Sequence, residues 1–161
     1  MSQDTPATSS AFRQLAWVLG LAGLLPFFGH ALFAWVAPEV EAGGLLRSQV
    51  HYAAAILSFL GALHWGVALA SPLPFTSRDG VRLVWSVIPA IFAWVIGMYP
   101  PGVAMPGLFF GLLVAWGADL ALYSGAAVPR WFLALRTVLT AGAALCVGAT
   151  WLAIATRLAQ A

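Results

Sequence analysis

Met105-Pro106-Gly107-Leu108-Phe109-Phe110-Gly111-Leu112-Leu113-Val114-Ala115-Trp116-Gly117-Ala118-Asp119-Leu120-Ala121-Leu122-Tyr123 runs for nineteen residues with one charged side chain. A bilayer core is about 30 Å thick, and roughly 20 residues at 1.5 Å rise each are enough to cross it. Four further runs of the same character flank this one, at Phe12–Ala37, Arg47–Ser71, Val81–Tyr99 and Arg136–Thr156. The pattern predicts an all-α polytopic membrane protein, a compact bundle of five transmembrane helices, with residues 12–161 as a single domain.

Composition points the same way. Of 161 residues, 62% are hydrophobic and 7% charged, and the mean hydropathy is +0.93. A soluble domain carries about 25% charged residues because water must be faced somewhere. Here the outer surface faces lipid, so the bilayer is the first expected partner. Seven arginines against five acids form no basic stripe interleaved with aromatics, which argues against nucleic acid. Cys146 is the single cysteine, so neither an internal disulfide nor a thiolate metal cage is expected. Mid-run, it reads as a small buried apolar residue.

Residues 1–11 form a polar leader expected to be disordered. Phe12–Ala37 is too long for the apolar core of a signal peptide, about 7–15 residues, and Ala34-Trp35-Val36-Ala37 makes a poor cleavage site. The run is expected to stay as a helix. Arginine placement then sets orientation. With the N-terminus cytoplasmic, Arg13, Arg78, Arg82, Arg130 and Arg136 lie inside, and only Arg47 and Arg157 outside. The expectation is a multi-pass topology with the N-terminus inside and the C-terminus outside.

The connections read as turns, at Pro38, at Pro72 and Pro74, at Pro100-Pro101-Gly102 and at Ser124-Gly125. Tryptophans such as Trp17, Trp35 and Trp131 fall near the expected interfaces and suit anchoring. Ala54, Ser58, Ala62 and Gly66 make a small-residue stripe on the second helix, and Gly107 and Gly111 another on the fourth. Such stripes let backbones approach within a bundle. Pro89 removes a donor midway along the third helix and is expected to kink it. His64-Trp65-Gly66 and Ala115-Trp116-Gly117 echo each other on helices of the same direction, a faint sign of a duplicated hairpin.

Function is to be sought among the polar groups that lipid penalises. Asp119 leads, since an acid within a transmembrane helix costs at least about 2.5 kcal/mol without a partner, water or a proton. The second run centres near Phe59 and the fourth near Val114; His64 and Asp119 each lie five residues further toward the cytoplasmic side. At 1.5 Å rise both sit about 7.5 Å from the midplane. Ser86 and Thr140 reach a similar depth on the third and fifth helices, and Tyr123 lies one turn beyond Asp119 on the same face. A His–Asp pair can pass a proton near neutral pH, the minimum for a relay or a proton-coupled carrier. The commoner use of such a pair is to fix helix register.

His30 and His51 lie near a common depth in the outer halves of the first two helices. Two facing histidines are weak candidates for axial haem ligands, and histidines that merely solvate an interface are far commoner; no cofactor is expected. The chain carries no His-x-x-x-His, no Gly-x-Ser-x-Gly and no phosphate loop, which leaves an enzymatic activity without positive support.

One stretch is more specific. Tyr52-Ala53-Ala54-Ala55-Ile56-Leu57-Ser58-Phe59-Leu60-Gly61-Ala62-Leu63-His64-Trp65-Gly66, with the opening Leu19-Gly20-Leu21-Ala22-Gly23-Leu24-Leu25-Pro26-Phe27, resembles an uncharacterised family of small proteobacterial polytopic proteins. That family also takes in the animal transmembrane protein 69 of mitochondria. The resemblance covers Leu15 to about Thr150, and the Trp94 and Asp119 segments are similar too. It implies five helices and a bacterial or organellar inner membrane, and it brings no activity and no catalytic residue. Two functions stay open: an accessory or assembly component of a larger membrane complex, or a proton-linked transporter or channel built on His64 and Asp119. The pattern sets no oligomeric state.

Overall fold

The computed structural model describes residues 10–36, 39–70, 74–123 and 128–159. They form six helices, α1 (Ser10–Ala22), α2 (Leu25–Val36), α3 (Glu39–Leu69), α4 (Ser77–Gly97), α5 (Pro101–Leu122) and α6 (Arg130–Leu158). Five segments are long and apolar enough to span a bilayer: Ser10–Val36, Gly43–Leu69, Ser77–Gly97, Pro101–Leu122 and Arg130–Leu158. The protein is a multi-pass helical membrane protein. The expected leader falls largely on residues 1–9, outside the described residues, and Ser10 and Ala11 already belong to α1. The expected turns at Pro38, Pro72 and Ser124-Gly125 also lie outside the described residues.

The first span is broken, which the hydropathy pattern does not show. Pro26 has no N–H to give to Ala22, so the helical ladder fails there. The Leu24 N–H tightens onto the Leu21 carbonyl (3.0 Å) and α2 begins at Leu25. In lipid a carbonyl released by a break needs a new donor. The Tyr52 hydroxyl, from α3, supplies one to the Gly23 carbonyl at 2.8 Å.

The surface is inside-out relative to a soluble protein. Large apolar side chains such as Trp94 and Leu145 are 68% and 74% exposed. The core is built from smaller groups: Val50, Ala53 and Leu57 of α3, Leu108 and Leu112 of α5, Val147 of α6, with Phe27 of α2. Small residues set the approach of the helices. A Cβ on Gly61 would stand 2.6 Å from the Ser86 carbonyl and about 3 Å from the Pro89 ring, so α3 and α4 touch backbone to backbone there. Gly107 and Gly111 take Ile96 and Phe92 of α4 in the same manner. The stripe read from spacing on α3 is not the contact: Ala62 and Gly66 are exposed, and the close approach is one residue away, at Gly61. At Pro89, α4 continues without a break.

Helix ends are also secured. Thr76 and Asp79 form a capping box at the start of α4, closing two orphan backbone donors. Asp79 in turn holds Arg82 at 2.7 Å, and Arg82 donates from Nε and Nη2 to the Leu122 carbonyl at the end of α5, at 3.0 and 2.8 Å. Arg157, late in α6, donates to the Ala34 carbonyl at the end of α2 (2.8 Å).

Candidate functional site: a buried ion set across three helices

Helix α6 starts at Arg130, directly after Pro129, whose fixed φ suits a helix entry. Arg136 is therefore nearly two turns inside α6 rather than at its end. From there Nε donates to Oδ2 of Asp119 at 2.8 Å, and Nη2 donates to the same oxygen. The other carboxylate oxygen, Oδ1, meets Nε2 of His64 at 2.9 Å. Asp119, His64 and Arg136 are 1%, 0% and 4% exposed, so water screens none of them. One acid on α5 thus fastens α3 and α6 together.

The hydrogen-bond pattern assigns the imidazole. A carboxylate flanked by a guanidinium only accepts, so His64 donates from Nε2. Its Nδ1 has no partner among the described residues. Arg136 balances the charge of the Asp119 carboxylate. Neutrality and full pairing are what let ionised groups persist inside a bilayer.

Tyr123 follows as the C-cap of α5, its N–H on the Asp119 carbonyl at 3.0 Å. Its ring stacks on His64, centroids 4.4 Å apart and planes 12° from parallel. Thr140 lies one turn beyond Arg136 on α6, buried, its hydroxyl without a partner among the described residues. Ser86 does not join the set. Its hydroxyl turns back to the Leu83 carbonyl at 2.6 Å, on its own helix. Ser86 itself is buried against α3, its carbonyl beside Gly61, one turn from His64.

His30 is engaged on both ring nitrogens. Nδ1 donates to the Pro26 carbonyl at 2.6 Å, which leaves Nε2 to accept from the Ser48 hydroxyl at 3.0 Å. The imidazole of His30 thereby ties α2, just past the break in the first span, to Ser48 of α3, and His51 is exposed. Among the described residues no group of three or more His, Cys, Asp or Glu side chains is close enough to share a metal.

Sequence reasoning missed Arg136 as the third member, having used it only to count charges, although Pro129 signalled where α6 begins. It also passed over Thr76-Ser77-Arg78-Asp79, whose spacing is that of a capping box.

A bundle of five spans, with buried ion sets at Asp119 and at Asp79–Arg82, defines a small polytopic membrane protein. Comparison with known proteins gives the family. The profile of the family described as a protein of unknown function (DUF3429) matches residues 12–152, and the chain belongs to it. The chain is 38% identical over 131 residues to Transmembrane protein 69 of Xenopus tropicalis, covering 78% of this chain and 49% of the relative. It is 33% identical over 127 residues to Transmembrane protein 69 of Mus musculus, covering 78% and 50%. The chain thus spans about half the length of these curated relatives. No solved structure matches it significantly.

Proposed function

We propose that the protein is an accessory or assembly component of a larger complex in a bacterial inner membrane, N-terminus cytoplasmic and C-terminus periplasmic. The observation that supports this reading is the closed bonding of Asp119. A carboxylate that carries protons must be free to gain and lose one, whereas both oxygens of Asp119 are held, one of them by a guanidinium. Such a clasp suits a rigid body that presents helix faces to neighbours better than it suits a self-contained carrier. Blue-native electrophoresis and cross-linking from native membranes test it: co-migration with a larger assembly is expected, and a free small species alone counts against it. The orientation rests on arginine bias and is tested by reporter fusions at the two termini.

A second reading, a proton-linked transporter or channel, draws on one specific feature. Among the described residues, His64 offers Asp119 one nitrogen and keeps the other unpartnered, stacked against a tyrosine whose hydroxyl is unpartnered as well. On that reading D119N abolishes a pH-dependent flux in proteoliposomes while the fold survives. If D119N instead lowers stability and no flux is seen in the parent protein, the clasp is structural.

A further inference from the structure

Helices α1 and α6 run side by side in one direction. Phe12 meets Trp131 with ring centroids 6.1 Å apart, Gly20 lies against Leu139, and Leu24, at the break before α2, lies against Gly142. Helix α1 stands away from α3, and none of its residues is buried. The three helices wall a groove of about 810 Å³, with Leu19, Ile56, Leu60, Leu63, Leu135 and Leu139 in its lining. Phe59 and Gly66 belong to it and are exposed, so it opens sideways toward acyl chains.

Its mouth is charged. Phe12, Pro129 and Trp131 line the end where α1 and α6 begin, and Arg13 and Arg130 are their neighbours in the chain. Both arginines are exposed, and neither has an ion pair or hydrogen bond among the described residues. Arg82 and Arg136 differ, being buried and paired with Asp79 and Asp119. Two side-chain charges therefore stay uncompensated at one end of the groove, and the two helix starts add the positive ends of their dipoles. Along α6 the lining from Trp131 to Ala143 covers about 18 Å at 1.5 Å rise. The tails of one leaflet cover about 15 Å, half of a core about 30 Å thick. Groove and tail match in length.

We infer that the groove seats a tail of an anionic phospholipid whose headgroup is held by Arg13 and Arg130. The apolar walls accept any tail, so the choice is made at the mouth. A guanidinium meets a phosphate with two parallel hydrogen bonds. A zwitterionic head adds a cation, and the described carboxylates nearest this end, Asp79 and Asp119, are buried and already paired. Nothing there receives that cation. A head with net negative charge brings none, and both arginines are answered. Basic clusters at the ends of transmembrane helices select anionic lipid in this way. The inference concerns lipid selection alone and is independent of the accessory role proposed above.

The test uses the full chain in detergent micelles with equal amounts of phosphatidylglycerol and phosphatidylcholine of identical tails, whose adducts native mass spectrometry separates. One bound phosphatidylglycerol per chain is expected, in preference to phosphatidylcholine. R13Q and R130Q should each reduce that preference about 5-fold, the range for one arginine near a headgroup, and R13Q/R130Q should abolish it. R47Q removes an exposed arginine at the opposite end, beyond the level where Tyr52 meets Gly23, and should leave the preference unchanged. G66L should lower retention of both lipids severalfold by filling the groove. A Cβ at Gly66 meets no heavy atom within 4 Å and leucine favours the helix, so that loss would not come from unfolding. A melting temperature no lower than the parent's confirms this. Equal retention of the two lipids by the parent overturns the inference, as does a preference that R13Q/R130Q keeps or retention undiminished in G66L. Displacement of the phosphatidylglycerol by inorganic phosphate alone overturns it too, since the tail would then count for nothing. None of these results touches the accessory reading, which stands on co-migration.

Discussion

Replacing Asp119 by asparagine keeps the shape of the side chain and removes its charge. Unit charges 2.8 Å apart, the Arg136–Asp119 separation, attract by roughly 6 kcal/mol at an effective dielectric of about 20. Desolvation offsets much of that, and removing one partner of a buried pair costs about 3–5 kcal/mol because the other charge is stranded. In a bilayer the unfolded reference finds partners too, which favours the lower end. At about 2–4 °C per kcal/mol for a chain of this size, D119N should melt roughly 6–12 °C below the parent. Cys146, the single cysteine, is half-buried in α6 and reports unfolding through a thiol-reactive fluorophore. The companion is D119N/R136M, which removes both charges and leaves His64 an amide oxygen to bond. It should regain at least half of the lost melting temperature. If D119N melts within about 2 °C of the parent, or the double variant is no more stable than D119N, then Arg136 and Asp119 are not energetically coupled and the account of the clasp fails.

Three further outcomes follow from particular contacts. Y52F strands the Gly23 carbonyl at the break in the first span; it should cost about 1–3 kcal/mol and speed hydrogen exchange of the amides around residues 22–28. G61A pushes a methyl against the Ser86 carbonyl and should cost about 1–3 kcal/mol, whereas G66A, in open space, should gain up to about 1 kcal/mol; paired thermal melts separate them. T76A removes the side-chain cap of α4 and should cost about 1 kcal/mol, seen in the same melts, with Arg82 still fastened to Leu122.

The architecture was legible because lipid imposes one strong rule, and long uncharged runs obey it visibly. Depth was legible too: a fixed rise per residue brought His64 and Asp119 to one level from their positions alone, and the structure has them 2.9 Å apart. Azimuth was not. The Ser86 hydroxyl turns back onto its own helix, and the α3 contact lies at Gly61 rather than on the stripe through Gly66. Boundaries hid Arg136, because hydropathy starts a span where charges stop, while the backbone of α6 starts at Pro129 and Arg130. Pro26 was in plain view inside an apolar run, yet its effect depends on Tyr52, 26 residues later, which no local pattern connects to it.

The order of synthesis gives the clasp a further meaning. A chain emerges from its N-terminus, so α3 and α5 reach the membrane ahead of α6. Until α6 follows them, the acid on α5 has only an imidazole beside it. Protein truncated before α6 would carry an uncompensated carboxylate among acyl chains, a mark by which quality control could tell unfinished molecules from finished ones. On this order α6 closes the clasp that α3 and α5 leave open.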